Sequence, residues 1–446
     1  MFRSFAFAFA FAFAFVFVLA IAAGAADAQT TATPQGGVPA PLPVAPAGGS
    51  ARQPQAVAPL PPVTSGAPPA GTAPAFVVQS DNGDNRIQLG ALLQIDGRFA
   101  VDDEQQNVLD NLHLRRFRAI TQGRLARHFE FFLNTEFAGG LTIRDGYIDT
   151  VFSPSFRVRV GKARVPFSYD RNVLILNVLF IERGLTAGVA PDRDTGVIAM
   201  GDVAGGVLSL FGSVTNGVVD GGSADGDTNE GKDIAARIVA RPWFRNSAHP
   251  LAQFGVAIAA NTGTQGPGLP SFLTAGRQAF FAYAPGVTGD GRRTRWSPQA
   301  FFYSGRFAAY GEFVRSRGGV RQGGNTGDID HDAWQIVGSW VLTGEAAPPE
   351  RNVRPRANFD PPTRHFGAVQ LTARLQQLTV SDAAFTRGLT TATASRKADV
   401  LTLGMNWYPN PYVKWMLNVE RTVFDGSARA ARAPENTLAL RAQLGF

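Results

Sequence analysis

The chain has 446 residues, a formal net charge of +7 and no cysteine, which excludes a disulfide scaffold, a thiolate metal site and a thiol nucleophile. Charged residues make up 17% of it, below the usual quarter for a globular domain, while Phe at 34 and Gly at 49 are abundant. A basic balance can serve nucleic acid, but no helix-turn-helix, zinc-finger or RNP pattern accompanies it, so no nucleic-acid partner is expected.

In chain order, residues 1–28 read as a secretory signal peptide. Arg3 supplies the positive charge, Phe5 to Ala22 form an apolar run, and Ala26-Asp27-Ala28 fits the small-x-small cleavage rule. The run is also borderline in length for a retained membrane anchor. No later apolar run is as long, so a helical membrane protein is not expected. Residues 29–83 form a second segment, a Pro/Ala-rich flexible arm. Twelve prolines and a single charge, Arg52, fall between 29 and 76, a composition that cannot build a packed core. It serves as a passive tether or as a link across the periplasmic space toward the cell wall.

Residues 84–446 change character. Ile87, Leu89, Ala91, Leu93 and Ile95 alternate with Gln88, Gly90, Leu92, Gln94, Asp96 and Arg98. A comparable two-residue period runs from Phe301 to Phe313, with Arg306, Tyr310 and Glu312 on its polar side. It recurs at Val369–Leu375, at Leu401–Trp407 and in the last strand, where Leu438, Leu440, Ala442, Leu444 and Phe446 oppose Thr437, Arg441 and Gln443. A strand with one apolar and one polar face fits a pore wall with lipid outside and water inside, or the edge of a soluble sheet. About 23 residues per strand and connection over this segment predicts about sixteen strands. The fold class expected is all-β, a transmembrane antiparallel β-barrel. Trp407 to Tyr412 reads as a tight turn with interfacial aromatics. The stretches near 218–232, 261–272, 286–296, 317–331, 344–363 and 423–434 are longer and polar and read as extracellular loops. Leu174 to Ile181 does not alternate; a loop folded into the lumen, a contact with a neighbouring subunit and a lipid-facing strand all suit it.

Enzyme signatures are missing. His113, His128, His249, His331 and His365 are scattered, and neither HExxH nor Gly-x-Ser-x-Gly occurs. No cofactor, metal or catalytic residue is nominated.

Several short stretches, taken in order, resemble the phosphate-selective porins of the O and P type. They are Leu114-Arg115-Arg116-Phe117-Arg118, Gly123, Phe129-Glu130-Phe131 and Arg144-Asp145-Gly146-Tyr147-Ile148-Asp149. Phe156 to Lys162, Val165-Pro166-Phe167-Ser168, Glu182-Arg183 and Asn406-Trp407-Tyr408-Pro409-Asn410 follow, then the run to Phe446. The likeness covers roughly residues 85–446. It implies a sixteen-stranded barrel in the outer membrane of a Gram-negative bacterium, a homotrimer passing small anions by passive diffusion. The partners implied are outer-membrane lipid and lipopolysaccharide, small anionic solutes, and the barrel-assembly machinery, which would read the C-terminal Phe446. The family's best-known members use a ladder of lysines, whereas this chain has only Lys162, Lys232, Lys397 and Lys414. Its basic charge is arginine, whose planar fork binds phosphate differently. A phosphate-selective pore, a general or organic-acid porin, and a mainly structural envelope protein all stay open.

The pore-lining, anion-attracting candidates follow from parity and position. Arg116 and Arg118 share a strand face, as do Arg157 and Arg159, because only alternate side chains face water. Their opposing role is pairing with Asp145, Asp149, Glu130 or Glu136. Arg306, Arg374 and Arg441 fall on polar faces. Lys162 belongs to the family motif but has the opposite parity to Arg159; a bend at Gly161 would return it to the lumen, and a regular strand would leave it at a rim. Arg171, Arg183 and Arg193 are candidates for a constriction, with Asp170, Glu182, Asp192 and Asp194 near enough in sequence to neutralise them.

Overall fold

A computed structural model describes residues 76–101, 110–227, 229–427 and 432–446; the signal peptide and most of the Pro-rich arm lie outside the described residues. The strands, in chain order, are β1 (Phe76–Gln79), β2 (Arg86–Val101), β3 (Asn111–Leu125), β4 (Phe129–Glu136), β5 (Thr142–Ser153) and β6 (Phe156–Arg164). Next come β7 (Arg193–Val203), β8 (Leu208–Thr215), β9 (Asp233–Ala240), β10 (Gly255–Thr264), β11 (Phe272–Leu273) and β12 (Ala279–Phe281). The last seven are β13 (Val287–Ser304), β14 (Phe307–Gln322), β15 (Asn325–Val341), β16 (Ala368–Val380), β17 (Ser395–Tyr408), β18 (Val413–Ser427) and β19 (Glu435–Gly445). Sixteen of them, β2–β10 and β13–β19, form a closed antiparallel barrel. Closure comes from β19 pairing with β2, Arg441 opposite Asp96 and Leu444 opposite Leu93. It leaves no backbone edge facing lipid, the condition for crossing a membrane with strands.

The two-residue period decides which side chain meets which solvent. On β19, Leu440 and Leu444 are 42% and 41% exposed on the outer face, while Arg441 and Gln443 are buried inside. Ile148, Val160, Ile234, Leu403 and Val419 repeat the outer pattern. So much contiguous apolar surface would be a severe liability in water and is what a lipid environment requires. Phe307 and Trp340 stack at the short-turn end, ring centroids 5.9 Å apart, and Trp296 packs on Phe313 nearer the other end, as interfacial aromatics do. Within the wall Arg441 grips Asp96 through two bonds of 2.6 and 2.7 Å with neither side chain exposed. Removing one partner of such a buried pair costs about 3–5 kcal/mol.

β1 lies before the expected barrel boundary at 84. It pairs with the first residues of β2, prolonging the line of β19, and Phe76 meets Phe446 with ring centroids 6.0 Å apart. The alternating run 301–313 is two strands: Gly305 and Arg306 form a two-residue hairpin turn between Ser304 and Phe307, and Gly305 takes the positive φ of 51° that this turn needs. Of the stretches expected to be loops, 286–296 and 317–331 are instead largely strand. β13, β14 and β15 extend as a long polar hairpin, laced by Arg315–Asp332, Arg317–Asp328 and Arg321–Asp290 across neighbouring strands. Polar composition there marks wall standing clear of lipid, which still satisfies its backbone in a ladder. The 342–367 connection is a loop, but it emerges at the same end as the Gly305-Arg306 turn, opposite the end that carries 216–232.

The connection between β6 and β7, residues 165–192, folds into the lumen. It carries two helical turns, α1 (Tyr169–Asn172) and α2 (Thr186–Val189). Wall side chains receive its backbone: Gln299 donates to the Phe167 carbonyl (2.6 Å), Asn406 to that of Leu179 (3.1 Å) and Lys414 to that of Val178 (2.6 Å). This places Leu174 to Ile181 inside the barrel and settles the three alternatives for that run. Its apolar side chains meet inward-facing Ile198, Met200, Phe211, Phe301, Tyr310 and Val337 in one buried cluster. Ala347 and Val353 of the 342–367 loop complete that cluster from the short-turn end. Nearer the other end, Phe272, Phe280 and Phe281 from the β11–β12 connection build a second cluster over Val314, Ile329 and Val380.

Candidate functional site

Two strand irregularities prepare the site. In β3 the pairing passes from Gln94–Arg116 to Ile95–Leu114, so Arg115 is an extra residue. A β-bulge of this kind aims two consecutive side chains to one side, and Arg115 and Arg116 both face the lumen. In β5 the pairing passes from Asn134–Asp145 to Thr135–Ile143, and Arg144 joins Asp145 inside by the same device. Each bulge adds an arginine that strict alternation would have pointed at lipid.

The arginines converge on a cavity of about 570 Å³ between the inserted loop, the wall from β3 to β6, the inner faces of β16 and β18, and the segment around β11. Ten arginines line it against four carboxylates, Glu136, Glu182, Asp192 and Glu420. Of the residues nominated from the sequence, Arg116, Arg118, Arg171, Arg183, Arg193 and Arg374 are among the ten. Arg115, Arg144, Arg164 and Arg277 were not anticipated. The bulges hid the first two; Arg164 ends a strand and Arg277 sits in a loop with a φ of 65°, and neither carries a parity signal.

Pairing divides the set. Arg118 bonds Glu136 at 2.7 Å, and Arg193 reaches Asp145 at 2.8 Å and Asp192 at 3.1 Å. Arg171 lies 3.3 Å from Asp192, and Arg183 lies 3.6 Å from Asp170. Asp194 instead accepts the Gly217 N–H at 2.6 Å. Arg116 donates to the neutral Gln94 at 2.7 Å, and Arg164 donates to the carbonyls of Asn172 and Val173 at 3.0 and 2.9 Å. Among the described residues these two and Arg277 form no ion pair. The Nε groups of Arg144, Arg164 and Arg374 and one Nη of Arg118 are buried without a protein acceptor. Such donors call for water or an anion. Burial alone would raise the Glu182 carboxyl, but Arg115, Arg98 and Arg116 outweigh it and hold it at about 2. Burial likewise opposes ionisation of Asp192, and Arg193 and Arg171 push its pKa below the usual carboxylate range. Both acids are therefore charged, and the surplus around the cavity is still positive.

The other candidates lie elsewhere. Arg159 is held by Asp149 through bonds of 2.7 and 2.9 Å, with its guanidinium 3.6 Å from the centre of the Tyr147 ring. Gly161 lets β5 approach closely at this point, since a Cβ there would lie 2.8 Å from the Tyr147 Cα. Arg157 sits between Glu130 (3.1 Å) and Asp149 (3.7 Å). Arg441 is consumed by Asp96. Arg306 is in the exposed hairpin turn, a consequence of the turn that interrupts its run. Lys162 donates to the Ile143 carbonyl at 2.9 Å and pairs with the exposed Asp225; the pairing runs through Gly161 without a register shift, and Lys162 stays at the rim.

No curated protein matches the chain. Among solved structures it is similar to the outer-membrane channel DcaP of Acinetobacter baumannii, at 11% identity and a TM-score of 0.53, over 83% of this chain and 99% of that one. An anion-selective porin from Comamonas acidovorans aligns at 12% identity and a TM-score of 0.52, over 81% of this chain and all of that one. OmpT of Vibrio cholerae, folded in vitro, gives 10% and 0.52 over 83% of this chain and all of that one. At such identities the likeness speaks for the fold, which is that of Gram-negative outer-membrane barrels. The profile of the phosphate-selective porin O and P family matches residues 87–446. The chain therefore belongs to that family and is an outer-membrane β-barrel channel protein.

Proposed function

We propose that this protein lets small anions diffuse passively through the outer membrane, drawn by the arginines of the cavity. The supporting observation is the surplus of ten arginines over four carboxylates around a cavity of about 570 Å³. Convergent guanidinium groups lower the barrier for an anion in a low-dielectric surround without requiring tight capture. Phosphate is within the proposal, since planar guanidinium forks match its oxygens; family and fold favour a channel over an enzyme. The assembly expected is a homotrimer in contact with lipopolysaccharide. The test is single-channel conductance and reversal potential across a potassium chloride gradient, repeated with phosphate. Anion-selective current that phosphate blocks at low concentration supports both halves of the proposal. Anion-selective current that phosphate leaves untouched supports the general-anion reading, and current without anion preference rejects it.

A further inference from the structure

We propose that Glu182 is the latch that holds the inserted loop against the barrel wall, and that this hold keeps the aperture narrow and the pore anion-selective. The inference deepens the channel reading and rests on it. Residues 165–192 leave the wall at β6 and return to it at β7, so their middle must be fastened separately. The other charged side chains of the loop pair within it, with the start of β7 or with β5: Asp170 pairs with Arg183, and Asp192 with Arg171, Arg193 and Arg144. Among the described residues, Glu182 is the loop side chain that forms ion pairs with β2 and β3. Its Oε1 accepts from Arg98 at 2.5 Å and lies 3.5 Å from the Arg115 Nε. Its carbonyl accepts from Arg374 of β16 at 3.1 Å, and the preceding Ile181 N–H donates to Asn418 of β18 at 2.7 Å. One residue thus gathers β2, β3 and β16, and its neighbour adds β18.

This carboxylate has two effects of opposite sign. As a charge it offsets arginines and weakens anion preference. As a fastening it keeps Arg98 and Arg115 together against their mutual repulsion and holds Arg183, the next residue, over the cavity. The geometry points to the second effect as the larger, because without Glu182 the shielded Arg98 and Arg115 are left sharing Asp96, at 3.5 and 3.9 Å, with Arg441, which already holds it. Glu182 is a positioning residue, which makes the sign of the selectivity change decisive.

The experiment is planar-bilayer recording of full-length wild type, Glu182→Gln and Arg98→Gln in a potassium chloride gradient, with heat-modifiable gel migration as the folding control. The latch predicts that both variants raise single-channel conductance, by about twofold or more for a released constriction, and that Glu182→Gln lowers the chloride-to-potassium permeability ratio. Glu182→Asp, which retains the charge, should recover part of the wild-type behaviour. Unchanged conductance with a higher chloride preference in Glu182→Gln is the behaviour of a simple counter-charge and would overturn the proposal. If Glu182→Gln does not fold, Arg98→Gln carries the same conductance expectation, and an unchanged value there overturns the latch. Folded wild type that passes no current would overturn the channel reading itself, a separate result.

Discussion

The β2–β6 side of the lumen and the β7–β15 side are built on the same alternation, yet their inner faces differ. The first presents Arg115, Arg116, Arg118 and Arg144 to the cavity; the second presents Ile198, Met200, Phe211, Phe301 and Val337 to a dry cluster. The difference teaches that in this barrel the inside is not one solvent. Where the inserted loop lays Tyr169, Val173, Val178 and Phe180 against the wall, an inward apolar residue is core and its burial stabilises the fold. Where the loop turns its charged residues outward, the wall opposite must be polar and remain wet. Pattern alone separates lipid from lumen, and the loop then separates dry lumen from wet.

This division can be broken most severely on its dry side. Phe301, 5% exposed and stacked on Tyr169 at 5.6 Å, should cost about 3–5 kcal/mol when changed to Ala, while selectivity stays near wild type. The temperature of the heat-induced gel shift reads the first quantity and reversal potential the second; selectivity lost at unchanged stability would erase the distinction. On the wet side, Arg116→Glu should lower the chloride-to-potassium permeability ratio by roughly fivefold, about 1 kcal/mol, at little cost to stability. An unchanged ratio would remove Arg116 from the ion's path.

A subtler test uses protons. Glu182 has its pKa depressed to about 2 from an ordinary 4.5. Its pairing is therefore fully present above the ordinary value and is lost as pH falls through about 2. Conductance should be flat from neutral pH to about 5 and rise only in strong acid; a rise centred near 5 would contradict this local charge balance. The smallest effect belongs to Lys162→Gln. Its partner Asp225 is 75% exposed, and such pairs contribute about 0–1 kcal/mol, so reversal potential should not move.

Much of the site was legible before the fold. Arg116, Arg118, Arg171, Arg183, Arg193 and Arg374 were named from parity and position, and the acids named as their neutralisers include the actual partners Glu136, Asp170 and Asp192, whereas Asp145, named for the strand arginines, pairs with Arg193. What misled was any place where the count of residues broke. A turn at Gly305 put Arg306 outside, and the rim contacts of Lys162 kept it from the cavity. The bulges at Arg115 and Arg144 concealed two contributors, since one inserted residue inverts the parity beyond it. Polar stretches at 286–296 and 317–331 read as loops because composition reports contact with water, and a strand that projects past the lipid meets water on its outer face as well.

By itself the sequence determined the barrel. A two-residue period repeated along residues 84–446 can satisfy lipid outside and polar groups inside only as a closed sheet, because an open edge would strand its backbone donors in hydrocarbon. Only the tertiary structure decided which inward residues line a path and which are core. That depends on where residues 165–192 lie inside the barrel and how 342–367 closes its short-turn end, and the course of the inserted loop is set by contacts such as Val178 with Lys414 and Glu182 with Arg98, between residues far apart in the chain.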